Sequence, residues 1–282
     1  MRFSNGFGLF VAALATGLLG GGFVSAAHAT PVNGGMGLQE AVTPVMHDLT
    51  ALHNWLLIAI TAIVAFVLLL LIIVMVRFNS RANPTPSKTT HNTLLEVAWT
   101  VLPVMILVAI AIPSFRLLYK EIVIPEAEMT VKAIGYQWYW GYEYPDHGDI
   151  ELTSNMVEDA DLEPGQPRLF TADEAMVVPV GTTVRVIVTA ADVIHAFAVP
   201  QFGVKIDAVP GRLNETWFRA EKTGMYYGQC SELCGTRHAF MPINVKVVTK
   251  EEFQAWTEQR QANAGGADGK VKLAQAAAAE AR

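Results

Sequence analysis

Cysteine is almost absent from this chain: Cys230 and Cys234 are the only two in 282 residues. So few exclude a disulfide-built scaffold, and the lack of any C-x-x-C-H stretch excludes a fused c-type haem. Charge is scarce too. Asp, Glu, Lys and Arg make up 16% of the residues against 52% hydrophobic. That balance is more apolar than an ordinary soluble domain and points to membrane segments. A basic excess is missing as well. The formal net charge is -6, which argues against a nucleic-acid partner, because a phosphate-binding surface needs positive charge. An acidic surface attracts basic partners instead. No internal repeat is present.

Long apolar runs are what the chain has in place of charge. The first, Phe7 to Val24, follows Arg2 and leads to Ala27-His28-Ala29. A positive start, an apolar stretch and a small-x-small ending form an export signal, with residues 1–29 removed. No cysteine follows this run, so a lipoprotein anchor is excluded. Residues 30–54 then read as an outer segment. The second run, Trp55 to Val76, has 22 residues without a charge. As a helix it is about 33 Å long, enough to cross a hydrocarbon core of roughly 30 Å. The third, Val97 to Phe115, contains Pro103 and Pro113, which membrane helices tolerate where neighbours satisfy the freed carbonyls.

Residues 55–118 thus form a two-helix transmembrane hairpin. Its loop, 77–93, carries Arg77, Arg81 and Lys88 and no acidic residue. The positive-inside rule makes that loop cytoplasmic. The expectation is a two-pass protein of the bacterial inner membrane with both ends on the periplasmic side. Glu96 stands where the second span begins. It reads either as an interfacial carboxylate or as a proton-handling acid facing a partner.

From 123 to 250 the pattern changes to short strand-like runs. TVKAIGYQWYWGYEY, MVVPVGTTVRVIVTA, NETWFRA, MYYGQ and INVKVVT are punctuated by Pro164-Gly165, Pro210-Gly211 and Gly224. Many short strands with such turns predict an all-β Greek-key sandwich or barrel. Between Glu121 and Lys250 there are 18 acidic and 10 basic residues, a net of -8. Residues 251–282 read as a short helix in EEFQAWTEQRQ followed by a mobile alanine-rich tail.

Both cysteines lie in CSELCGTRHAFM, residues 230–241. A disulfide closing so short a loop gains little and leaves His238 and Met241 unexplained. Zinc would take two cysteines and two histidines, but His195 lies 35 residues before Cys230, and zinc has no use for a thioether. Copper uses the whole set, because thiolate, imidazole and thioether are the donors of copper electron-transfer sites. A mononuclear blue-copper site needs one cysteine. Two thiolates bridging two coppers, with His195 and His238 as terminal ligands and Met241 and a backbone carbonyl as weak axial ones, close the ligand count.

The stretches GYQWYWGYEYP (135–145), DVIHAFAVP (192–200), KIDAVPGRLN (205–214) and YYGQCSELCGTRHAFMP (226–242), preceded by the two-span hairpin, resemble subunit II of cytochrome c oxidase, the haem–copper terminal oxidase. The resemblance covers residues 40–250. It implies a cupredoxin-like domain holding a binuclear CuA centre, with His195, Cys230, Cys234, His238, Met241 and the Glu232 carbonyl as ligands. It further implies a magnesium or manganese ion held by the Glu232 side chain at the contact with subunit I. Glu96 matches the acid at the mouth of a proton path, and Trp138 matches the surface tryptophan that receives electrons from cytochrome c. Glu143 and Asp192 match docking acids. The implied partners are cytochrome c, subunit I with its haem and CuB, subunit III and membrane lipid. The implied function is electron input to an oxidase that reduces oxygen and pumps protons in the partner subunit. A quinol-oxidase subunit of this fold would lack the copper ligands. A nitric oxide reductase differs only in its partner, and a copper chaperone would need a more open site.

Overall fold

The computed structural model describes residues 34–148 and 150–263. The expected export signal and the alanine-rich tail beyond residue 263 lie outside the described residues. Two long helices come first, α1 (Pro44–Arg77) and α2 (Thr93–Ile122). Both are long and apolar enough to cross a membrane, and the interior of the protein buries neither apolar stretch. Each runs beyond the apolar segment that marks it in the sequence. α1 starts eleven residues before Trp55 because Thr43 caps it, its side chain accepting from the Met46 amide at 3.1 Å, with Pro44 at the first turn. α2 starts at a reciprocal cap. Asn92 accepts from the Leu95 amide at 3.1 Å, and Glu96 accepts from the Asn92 amide at 3.3 Å.

Ten strands follow. β1 (Met129–Tyr136), β2 (Tyr139–Tyr144), β3 (Ile150–Ser154), β5 (Val184–Ala190) and β8 (Asn214–Phe218) form a five-stranded sheet in the order β3-β2-β1-β5-β8. β4 (Met176–Pro179), β10 (Pro242–Val248) and β9 (Gly224–Gln229) form a second sheet in the order β4-β10-β9, and β6 (His195–Val199) pairs with β7 (Val204–Ala208). β1 and β5 run parallel, as do β4 and β10, and the other pairs are antiparallel. Alternation sets the faces. Val184, Val186 and Val188 of β5 are buried while the residues between them are half-buried, the period-2 pattern of a strand with one face on a core. Tyr144 stitches the sheets together: its hydroxyl donates to the Val177 carbonyl at 3.2 Å and accepts from the Val177 amide at 2.8 Å. A helix over 250–263, α3, closes the domain, with Phe253 in the core and Trp256 packed against it.

The helices are joined to this domain and do not merely precede it. Val42, Val45 and Met46 are buried. The Val42 amide donates to the Gln201 carbonyl at 3.3 Å, its carbonyl accepts from the Glu221 amide at 3.0 Å, and the Thr43 hydroxyl donates to the Phe202 carbonyl at 2.7 Å. Trp217 Nε1 donates to the Lys120 carbonyl at 2.9 Å near the end of α2. Both helices therefore end on the β-domain at fixed points.

β9 and β6 approach unusually closely. A Cβ on Gly228 would stand 2.0 Å from the Ala198 carbonyl oxygen, so only glycine fits. Gly228→Ala should destabilise the domain by at least about 3 kcal/mol, the upper range of overpacking costs. Denaturant or thermal unfolding measures this, and an unchanged midpoint would show that the two strands can separate without loss.

Candidate metal centre

β6 begins with His195, and the hairpin between β9 and β10 carries Cys230 to Met241. Pairing of Gln229 with Pro242 brings the ends of that loop together, and the Cys230 amide donates to the Met241 carbonyl at 3.4 Å. The Ser231 amide donates to the Ala196 carbonyl at 3.1 Å, which ties the loop to the strand that holds His195. A short turn over His238–Phe240 folds His238 back, its amide donating to the Gly235 carbonyl at 3.1 Å.

The result is a buried cluster of soft donors. The Cys230 and Cys234 sulfurs are 3.9 Å apart, and both thiols are free and buried. Cys230 Sγ lies 3.9 Å from His195 Nδ1 and 3.3 Å from the Glu232 carbonyl oxygen. Cys234 Sγ lies 3.5 Å from His238 Nδ1 and 3.5 Å from Met241 Sδ. The donors thus fall into two sets, each with one thiol, one imidazole and one weaker donor. The ligand atoms of His195, Cys230 and Cys234 all lie within 4.8 Å of one another. Two sulfurs that share a metal ion at about 2.3 Å each can be at most about 4.6 Å apart, so this spacing admits bridging. Donor identity and spacing fit a copper pair.

Further residues hold the donors in place. Asp192 accepts from His195 Nε2 at 2.9 Å and from the Gln137 amide at 2.7 Å. The Asp192 contact fixes the imidazole with Nδ1 turned to the sulfurs. Gln137 Nε2 and Trp138 Nε1 both donate to the Cys234 carbonyl, at 2.9 and 3.1 Å. Gly135 makes room for the fully buried His195, since a Cβ there would stand 2.8 Å from its ring. Gln137 and Gly135 carry no signal in the sequence that marks them as supports. Electrostatics follows from these contacts. Burial opposes ionisation of Cys230, but hydrogen bonds from His195 and the Ala196 backbone outweigh it and hold this thiol at about 7. Burial and the neighbouring Cys230 push Cys234 upward. Asp192 is held below the usual carboxylate range, because hydrogen bonds from His195, Val193 and Gln137 overcome its desolvation.

The structure brings His195, Cys230, Glu232, Cys234, His238, Met241, Trp138 and Asp192 together. The Glu232 carbonyl faces Cys230, and the residue is exposed. Glu143 is elsewhere. It sits four residues along β2 from Tyr139, about 13 Å, and pairs with Lys132 at 2.9 Å, so its charge is already compensated. Glu96 lies on the first turn of α2, at the end of that helix away from the β-domain.

A two-helix membrane hairpin carrying an all-β domain with this donor cluster on its rim defines a membrane-anchored metalloprotein of the cupredoxin class. Two family models match: "Cytochrome C oxidase subunit II, periplasmic domain" over residues 129–248 and "Cytochrome C oxidase subunit II, transmembrane domain" over residues 31–117. A probable cytochrome c oxidase subunit 2 of Rickettsia bellii is 55% identical over 225 residues, covering 80% of this chain and 84% of that one. Cytochrome c oxidase subunit 2 of Cereibacter sphaeroides is 49% identical over 247 residues, covering 81% of each. Among solved structures, the periplasmic domain of subunit II of cytochrome oxidase of Bradyrhizobium japonicum is 60% identical, covering 50% of this chain and 99% of that one with a TM-score of 0.47. The chain belongs to the cytochrome c oxidase subunit II family, and so to the components of an oxidoreductase complex.

Asp192→Asn keeps the shape but gives the ring and the Gln137 amide a weaker acceptor. Copper affinity should fall by roughly 10- to 100-fold, as for other partners that orient a metal-binding histidine. Competition with a chelator reads this directly, and wild-type affinity would mean that packing around Gly135 alone orients His195.

Proposed function

We propose that this chain is the electron-input subunit of a cytochrome c oxidase. It takes electrons from reduced cytochrome c at a binuclear copper site and hands them toward haem in subunit I, where oxygen is reduced and protons are pumped. The observation that carries this reading is the partition of six donors into two sets around a pair of free, buried cysteines, one completed by the Glu232 carbonyl and the other by the Met241 thioether. Cys230 and Cys234 would hold both metal ions, with His195 and His238 as terminal ligands and Met241 and the Glu232 carbonyl as weak ones. When bound, a copper pair supplies a one-electron redox couple.

The chain's own residues do the rest. A cluster fixed by Gln137, Asp192 and two strand ends changes shape little when charge arrives, which keeps reorganisation small. Trp138 is half-buried against the core, with its indole N–H on the Cys234 carbonyl. It links the protein surface to a ligand residue, which suits it to receive the electron. Asp192 remains part-exposed and stands beside the centre, so it can attract a basic cytochrome as well as orient His195. Glu143, with its charge compensated by Lys132, would contribute less to docking. The exposed Glu232 carboxylate is free to hold magnesium or manganese shared with subunit I. Glu96, at the loop end of α2, suits the mouth of a proton path, and subunit III is a further expected neighbour. The basic loop between α1 and α2 supports a periplasmic placement of the metal domain.

Trp138→Ala should slow the reduction of the oxidase by cytochrome c strongly in stopped-flow measurements, with copper per chain unchanged. Wild-type rates would place the input elsewhere, and loss of copper would make Trp138 a support of the Cys234 loop.

A further inference from the structure

A cavity of about 450 Å³ lies between α1 and α2 at their β-domain end. Its level is set by the sequence. Trp55 opens the uncharged run of α1, and Arg116 is the first charged residue after the apolar run of α2. Both therefore stand where hydrocarbon gives way to water. Leu52, Trp55 and Leu117 form an apolar wall, and charged residues form the rim. On that rim Asp48 and Lys120 pair across the two helices, and Lys120 Nζ also donates to the Pro44 carbonyl at 3.0 Å. This pair neutralises itself. Arg116 does not: it is exposed and makes no hydrogen bond or ion pair among the described residues. Two cations and one anion leave the cavity with one net positive charge.

We propose that this cavity binds one anionic phospholipid, with its phosphodiester on Arg116 and an acyl chain running past Trp55 and Pro113 toward the hydrocarbon. A guanidinium pairs with two phosphate oxygens at once, and basic pockets between membrane helices suit anionic headgroups. The volume lies in the usual range for a bound small molecule. An apolar wall beneath a cationic rim selects an amphiphile, because a free anion would leave the wall wetted, and a zwitterionic lipid would bring a choline cation to a cavity that already carries one net positive charge. The lipid fills the cleft directly beneath the points where both helices meet the β-domain.

The test is native mass spectrometry of the full chain, released from nanodiscs of mixed phosphatidylglycerol and phosphatidylcholine. The expected result is one retained phosphatidylglycerol per chain. Arg116→Gln should lower that retention roughly tenfold, the effect of losing one charge-assisted contact, while Arg116→Lys keeps part of it. Copper content and circular dichroism of both variants should match the wild type, which separates lipid loss from misfolding. Equal retention by wild type and Arg116→Gln overturns the proposal, as does equal retention of phosphatidylcholine. Displacement by inorganic phosphate would show a site for a free anion. A photocrosslink from Leu117 to another protein subunit in the assembled oxidase would show that protein covers the cavity.

Discussion

The metal cluster depends on one backbone contact, the pressing of β9 onto β6 where Gly228 meets the Ala198 carbonyl. β9 delivers the cysteine loop and β6 delivers His195. If the two strands stood farther apart, Cys230 Sγ could not lie 3.9 Å from His195 Nδ1. Glycine at 228 removes the side chain that would hold them apart, and glycine at 135 does the same for the imidazole ring. The Ser231 amide on the Ala196 carbonyl then locks the loop to the strand. The packing of the domain thus brings the donors together. That is the condition under which charge can change with little movement.

A second constraint couples this cluster to the membrane. The residues before α1 add backbone hydrogen bonds to the β-domain, and Trp217 receives the end of α2. Because Gly203 has φ +69 and would place a Cβ 3.2 Å from the Met46 Cα, the first turn of α1 seats against the turn after β6. The same β6 that carries His195 is therefore held a few residues away from a membrane helix. The distance from the metal donors to the membrane surface is fixed by this short covalent and packed path. A subunit that must present its centre to a neighbour at constant separation needs such a joint.

The sequence made the donors legible because their chemistry is rare. Two cysteines, a histidine and a methionine within twelve residues have few other readings, and the two uncharged runs were equally plain. Alternation revealed the strands but not their partners, since a buried face looks the same in a parallel pair such as β1–β5 as in an antiparallel one. The start of α1 is marked only by Thr43-Pro44, because the polar residues of HDLTALHN precede the apolar run. Gln137 and Gly135 lie in the GYQWYWGYEYP stretch that carries the resemblance, but nothing there marks them as supports, because those roles are contacts created by folding. The resemblance marks Asp192 only as a docking acid. Its hydrogen bonds to His195 and Gln137 add a supporting role that no spacing rule encodes. Glu143 looked equivalent in the sequence, yet cross-strand pairing with Lys132 sets it apart.

Metal analysis of the copper-loaded full chain, together with its electron paramagnetic resonance spectrum, tests the central claim most directly. The account predicts two coppers per chain and one unpaired electron shared equally between two copper nuclei. One copper with a localised electron, or zinc alone, would contradict it and leave Cys230 and Cys234 with a different task.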